Sequence, residues 1–243
     1  PASVGLPDPE SMDENAPVKE VVQEDEGFTK LAYQKLVNKM VFRNPVIWIL
    51  AVANFCVYVI RFTILDWGAT FLTQDRGLSI QVASTVVASS EIVGGIIGTL
   101  LAGWATDKFF KSRAQRTCLL GLIGATICFL IFWLLPKGMN VLAIIAIIMA
   151  SFFVYMPQAL IGIACSNHAA ASANGIAGIF GYASTTVSGL LFGALADAYG
   201  WNSVFEVSII FGVVGIILLA LLWKAPADGY EKADKILDEA RRE

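Results

Sequence analysis

Residues 141–165 read VLAIIAIIMASFFVYMPQALIGIAC, a stretch with no charged side chain. A bilayer core of about 30 Å is crossed by about 20 helical residues, so this stretch is long enough to span one. A membrane β-strand would alternate polar and apolar residues, whereas IIAIIMASFFV (144–154) and GIILLALLW (215–223) are apolar on every face. Lipid offers no partner to a backbone amide, and a helix satisfies its amides internally. Runs of the same character lie at 46–65, 82–104, 117–135, 172–196 and 203–223. The first continues past Asp66 and Trp67 towards Leu72, because no glycine or proline interrupts it before Gly68. The expected fold is an all-α membrane protein with six transmembrane helices.

Composition agrees with that reading. Of 243 residues 56% are hydrophobic and 15% charged, with a mean hydropathy of +0.67. A soluble enzyme is excluded, since such a chain carries more apolar surface than a soluble domain can hide. The net charge of −3 comes from the ends, and residues 1–26 hold eight carboxylates against one lysine. That balance argues against nucleic acid as a partner. Cys56, Cys118, Cys128 and Cys165 lack C-x-x-C spacing and sit in or beside apolar runs, where cysteine acts as a small hydrophobe. No metal-ligand cluster, phosphate-binding glycine loop or nucleophile elbow is present, so neither metal nor cofactor is expected.

Positive side chains resist translocation, and they orient the helices. Lys30, Lys35, Lys39 and Arg43 precede the first span; Lys108, Lys111, Arg113 and Arg116 separate the second from the third; Lys224, Lys232 and Lys235 follow the sixth. The opposite loops carry only Arg76 and Lys137. Both ends of the segment are therefore expected in the cytoplasm. Four regions follow: an acidic, proline-spotted linker (1–27), a short amphipathic helix at the membrane surface (28–45), the six-helix bundle (46–224) and a solvated cytoplasmic tail (225–243). Pro1 in place of an initiator Met, with no signal-like segment before the acidic stretch, is expected of the later part of a longer chain. GWATDKF (103–109) and GALADAY (193–199) each carry G-x-x-x-D at a helix end, as a three-plus-three repeat would.

Arg61, inside YVIRFTIL, is the most informative residue, because a guanidinium at the centre of a membrane helix costs roughly 2.5–3.5 kcal/mol on the gentler scales. It needs a partner or a watery cavity. Asn54, Tyr58 and Arg61 are spaced by four and three, so they share one helical face directed into the bundle. A planar fork of donors suits phosphate or carboxylate oxygens. Glu91 is the second intramembrane charge, at a similar depth, and it is either protonated, paired with Arg61 as helix–helix glue, or a switch that changes partner when an anion arrives. Tyr155, beside Pro157, and Tyr182 offer hydroxyls to a polar ligand. Ser90, Gly94, Gly98 and Ala102 form a ridge of small residues for close packing. Gly103, Asp107, Lys108 and Arg113 form a candidate cytoplasmic gate motif, with Asp107 capping a helix or latching to Arg113. His168 is expected in an inner loop, solvated or hydrogen-bonded.

ANFCVYVIRFTILDWGATFL (53–72), SSEIVGGIIGTLLAGWATDKFF (89–110), FFVYMPQALIGIA (152–164), GIFGYASTTVSG (178–189) and SVGLP (3–7), the last like a central linker, carry a resemblance. Together they resemble the organophosphate:phosphate antiporter family of the major facilitator superfamily. The resemblance implies the second half, itself a 3+3 inverted repeat, of a twelve-helix transporter. Such a transporter exchanges a hexose phosphate or glycerol 3-phosphate for inorganic phosphate. Arg61 then matches that half's phosphate-binding arginine, and its counterpart arginine comes from the first six-helix half, on the same chain or another. Tyr58, Tyr155 and Tyr182 match pocket tyrosines of glycerol-phosphate members, Asn54 is retained, and Glu91 matches a glutamate of the charge-pair switch. A membrane sugar-phosphate sensor shares this architecture, and a scaffold held by Arg61 and Glu91 is the remaining alternative. The implied location is a bacterial inner membrane.

Overall fold

A computed structural model describes residues 34–169 and 171–242. The acidic linker, the SVGLP stretch and the start of the amphipathic segment lie outside the described residues. Among the described residues, six helices are long and apolar enough to cross a membrane: α1 Pro45–Gln74, α2 Ile80–Phe110, α3 Ala114–Leu134, α4 Asn140–Ala169, α5 Ser172–Tyr199 and α6 Trp201–Leu221. A seventh, α7, covers Tyr230–Arg242, and a π-helical turn, Asn38–Phe42, precedes α1. The six spans lie where the apolar runs place them, and α1 does continue through Asp66 to Gln74. Its start is set by Asn44, whose side chain accepts the Val46 amide at 3.2 Å, and by Pro45 in the first turn.

α1 is the most buried of the spans and packs against α2, α4, α5 and α6, while α3 packs chiefly on α4 and α6. Small residues make the closest approaches possible. A Cβ at Gly98 would stand 2.6 Å from the Phe152 carbonyl oxygen of α4, and one at Gly94 would stand 2.9 Å from the Ser151 carbonyl. Ser151 also donates to Ser90 at 3.2 Å, so the small-residue ridge of α2 is the face that meets α4. Gly98→Ala is expected to force the helices apart and cost about 1–3 kcal/mol, read as a lower melting temperature of the purified protein.

α2 and α5 each contain a π-helical turn, Val93–Gly98 and Ser188–Phe192. Each turn precedes its helix's G-x-x-x-D, so the two halves of the bundle echo one another in backbone as well as in sequence. π-Turns inside α-helices are rare and concentrate near functional sites.

Three loop readings change. Arg76, read as a loop charge, is only 8% exposed and donates to the carbonyls of Pro136 (2.9 Å) and Phe132 (3.0 Å). It thus satisfies orphan carbonyls at the C-terminus of α3, where a cation also suits the helix dipole. Arg76→Ala is expected to destabilise the fold by about 1–3 kcal/mol in thermal unfolding, because the buried Phe132 carbonyl is left without its donor. His168 is not a solvated loop residue; it is 3% exposed in the last turn of α4. The tail is not wholly solvated either: Ile236 of α7 joins the core at 6% exposure, the Gly229 amide donates to the Asn167 carbonyl at 3.0 Å, and Lys39 pairs with Glu239 at 2.8 Å. The four cysteines are free, and all but Cys128 are buried.

Candidate functional site

Arg61, Glu91 and Tyr155 come from α1, α2 and α4 and meet at one point. Glu91 lies eleven residues into α2, roughly 16 Å from its start at 1.5 Å per residue, and Arg61 falls near the middle of α1. Arg61 Nη2 lies 3.2 Å from Glu91 Oε2 and donates to the Tyr155 hydroxyl at 2.9 Å. The Tyr155 hydroxyl in turn donates to Glu91 Oε2 at 2.5 Å. The guanidinium carbon stands 5.1, 5.3 and 5.9 Å from the ring centres of Tyr155, Phe62 and Tyr58. Aromatic faces at these distances attract a cation without neutralising it.

The Arg61 and Glu91 side chains are 17% and 18% exposed, so they are largely buried but not sealed. Only part of their hydrogen-bonding capacity is used. Arg61 Nε and Glu91 Oε1 are buried and have no partner among the described residues. An unpaired guanidinium donor in a low-dielectric cage is costly unless an acceptor arrives, and a tetrahedral oxyanion supplies several acceptors at once.

The α2–α4 contact sets this geometry. A Cβ at Gly94 would stand 2.6 Å from Tyr155 Cδ2, so only glycine lets the tyrosine ring lie flat against α2 one turn beyond Glu91. Pro157, two residues further along α4, removes a backbone donor from the helix beside Tyr155. Neither Phe62 nor the Tyr155–Glu91 bond is apparent from spacing. Phe62 is one of many apolar side chains in its span, and the bond joins residues 64 apart in sequence on different helices.

The other expected site residues divide. Tyr58 borders the cluster through its ring. Asn54 lies on the same helical face but is 6% exposed, and its amide donates to the Ala177 carbonyl of α5 at 2.8 Å. It fastens α1 to α5 beside Gly181, where a Cβ would sit 2.9 Å from the Asn54 amide nitrogen, and it does not join the Arg61 cluster. Tyr182, next along α5, is 72% exposed and stands outside that cluster. At the turn after α2, Asp107 accepts a hydrogen bond from Ser112 at 3.0 Å, and the anticipated latch to Arg113 is not formed. Lys111 and Ser112 have φ of 50° and 60°, which reverses the chain and carries the Ser112 hydroxyl back to Asp107. Lys108 lies over the Trp104 ring at 4.7 Å, Gly103 is half-buried, and Arg113 lines a cavity at this end. No cluster of three or more His, Cys, Asp or Glu among the described residues could hold a metal.

The chain is similar in sequence to known membrane proteins. The chain is 32% identical over 228 residues to the glycerol-3-phosphate transporter of Bacillus subtilis, covering 92% of this chain and 50% of that protein. It is 34% identical over 227 residues to the membrane sensor protein UhpC of Escherichia coli, covering 91% and 51%. It is 29% identical over 252 residues to a probable hexose phosphate transport protein of Chlamydia trachomatis, covering 96% and 53%. The chain thus spans about half the length of the curated relatives it matches. These relatives are transporters and sensors rather than enzymes. The description Major Facilitator Superfamily fits residues 6–184, and with six apolar spans around an intramembrane arginine the chain belongs to that superfamily.

Proposed function

We propose that the chain forms the second six-helix half of a twelve-helix secondary transporter that exchanges an organophosphate, such as a hexose phosphate or glycerol 3-phosphate, for inorganic phosphate. The first half, on the same longer chain or on a separate one, supplies the opposite wall of the binding site. The observation that carries this reading is the half-engaged Arg61 cluster, a guanidinium held at mid-membrane depth by Tyr155 and Glu91 with Nε still unpaired. Arg61 grips the phosphoryl oxygens, and Tyr58 and Tyr155 flank them. Tyr182, exposed on this half, faces the ligand from α5 once the other half is present. Glu91 gives up Arg61 when phosphate binds and retakes it when phosphate leaves, so loading biases two arrangements of the bundle. Gly103, Asp107, Lys108 and Arg113 act at the cytoplasmic gate. The protein sits in a bacterial inner membrane with both ends of this segment in the cytoplasm, the orientation that the basic loops favour. No covalent step is involved.

The sensor reading is favoured by the 34% identity to membrane sensor protein UhpC, which slightly exceeds the identity to the transporters. Counterflow separates the two. Vesicles holding the full-length protein and loaded with unlabelled phosphate should take up radiolabelled phosphate, and external sugar phosphate should compete. Binding of sugar phosphate without any uptake would establish a receptor instead.

A further inference from the structure

At the basic end of the bundle, far from Arg61, lies an open cavity of about 650 Å³. Arg61 is sixteen residues along α1 from Pro45, roughly 24 Å of helix, whereas Asn44 and Val46 at the very start of α1 line this cavity. Its other walls come from the turn after α2, the end of α4, and α7 with the residues leading into it. Among the described residues, Lys111, Arg113, Lys232 and Lys235 line it with one carboxylate, Asp228. Asn44 and His168 form its buried polar wall, at 5% and 3% exposure. The positive end of the α1 dipole lies at the same place, since Asn44 caps that helix.

Four cations from two separate segments, the turn after α2 and α7, converge here, and the positive charge that Asp228 leaves unbalanced is relieved when a further anion lies among them. A cavity of this size is in the range that holds a small ligand or a headgroup. Its place at the ends of α1 and α4 sets it at the level of lipid headgroups, where basic pockets between membrane helices take acidic lipids. The geometry points to a second anion site here, built for a phosphate ester, whether the headgroup of an acidic phospholipid or a free phosphate from the aqueous side. This site is independent of the Arg61 cluster and does not rest on the transport reading.

Amine-reactive footprinting of the full-length protein tests it, with labelling of Lys232 and Lys235 compared with Lys224, an exposed lysine at the same end that does not line the cavity. One arm uses nanodiscs of phosphatidylcholine with and without phosphatidylglycerol. The other uses phosphatidylcholine nanodiscs with inorganic phosphate or with chloride at matched ionic strength. With the site near saturation, labelling of Lys232 and Lys235 should fall about five-fold or more relative to Lys224 in at least one arm. Arg113→Gln should restore it. Protection by phosphatidylglycerol alone identifies a lipid headgroup, and protection by phosphate alone identifies a free anion. Labelling that stays level in both arms, or falls equally at Lys224, overturns the proposal, and that result needs only the unsubstituted protein.

Discussion

Arg61→Lys is expected to lower phosphate exchange in vesicles about a hundredfold while the yield of folded, monodisperse protein stays the same. Lysine keeps the charge, so the electrostatic attraction to Glu91 and the three aromatic rings survives, and the bundle has no reason to come apart. The planar fork is lost. An ammonium cannot direct parallel donors at two oxygens of one phosphoryl group, and losing a charged hydrogen-bonded pair of that kind costs about 1.5–3 kcal/mol, whose upper end is about a hundredfold in rate. A purely structural Arg61–Glu91 pair predicts the opposite pattern, with exchange tracking the amount of folded protein. The measurement is initial counterflow rate divided by folded protein in the same vesicles.

Glu91→Gln is expected to tighten phosphate binding about tenfold and, in the same protein, to slow exchange. In the resting geometry Glu91 Oε2 takes both the Arg61 Nη2 donor and the Tyr155 hydroxyl, so an arriving phosphate has to displace a carboxylate. Glutamine keeps the shape and can still accept from Tyr155, but its neutral amide competes poorly for a guanidinium; a charged partner at this largely buried position is worth on the order of 1–2 kcal/mol. The easier displacement raises affinity. The weaker recapture of Arg61 delays phosphate release, so turnover falls although binding improves. Equilibrium binding and counterflow on the same preparation separate the two effects. Weaker phosphate binding in Glu91→Gln would mean that the glutamate organises the site instead of competing for it.

The parts of this site legible in the sequence are those with a large local penalty. A guanidinium or carboxylate within an apolar span stands out because lipid punishes it, and Arg61 and Glu91 do form a pair. The spans are legible for the same reason, since the apolar length is set by the bilayer. What spacing cannot give is which partner a neutral polar group takes. Asn54 shares a helical face with Arg61, yet its amide is better served by the Ala177 carbonyl that the glycine-rich α5 brings close. Arg76 looks like an exposed loop charge until the end of α3 is placed beside it. The mixed charges of 230–242 conceal an apolar contact, with Ile236 in the core and Ala233 packed against it, that anchors α7. The Asp107–Arg113 latch fails because two consecutive left-handed residues, Lys111 and Ser112, redirect the chain. Each of these outcomes depends on tertiary contacts made by a backbone carbonyl or a single side chain, and neither leaves a periodic trace.

Equilibrium binding of radiolabelled phosphate to the full-length protein in neutral-lipid nanodiscs tests most directly whether Arg61 is an oxyanion receptor. The expected result is a saturable component, competed by glycerol 3-phosphate or a hexose phosphate, that Arg61→Lys removes and Lys232→Gln leaves in place. Binding that is unchanged in Arg61→Lys, in protein that remains folded, would contradict it.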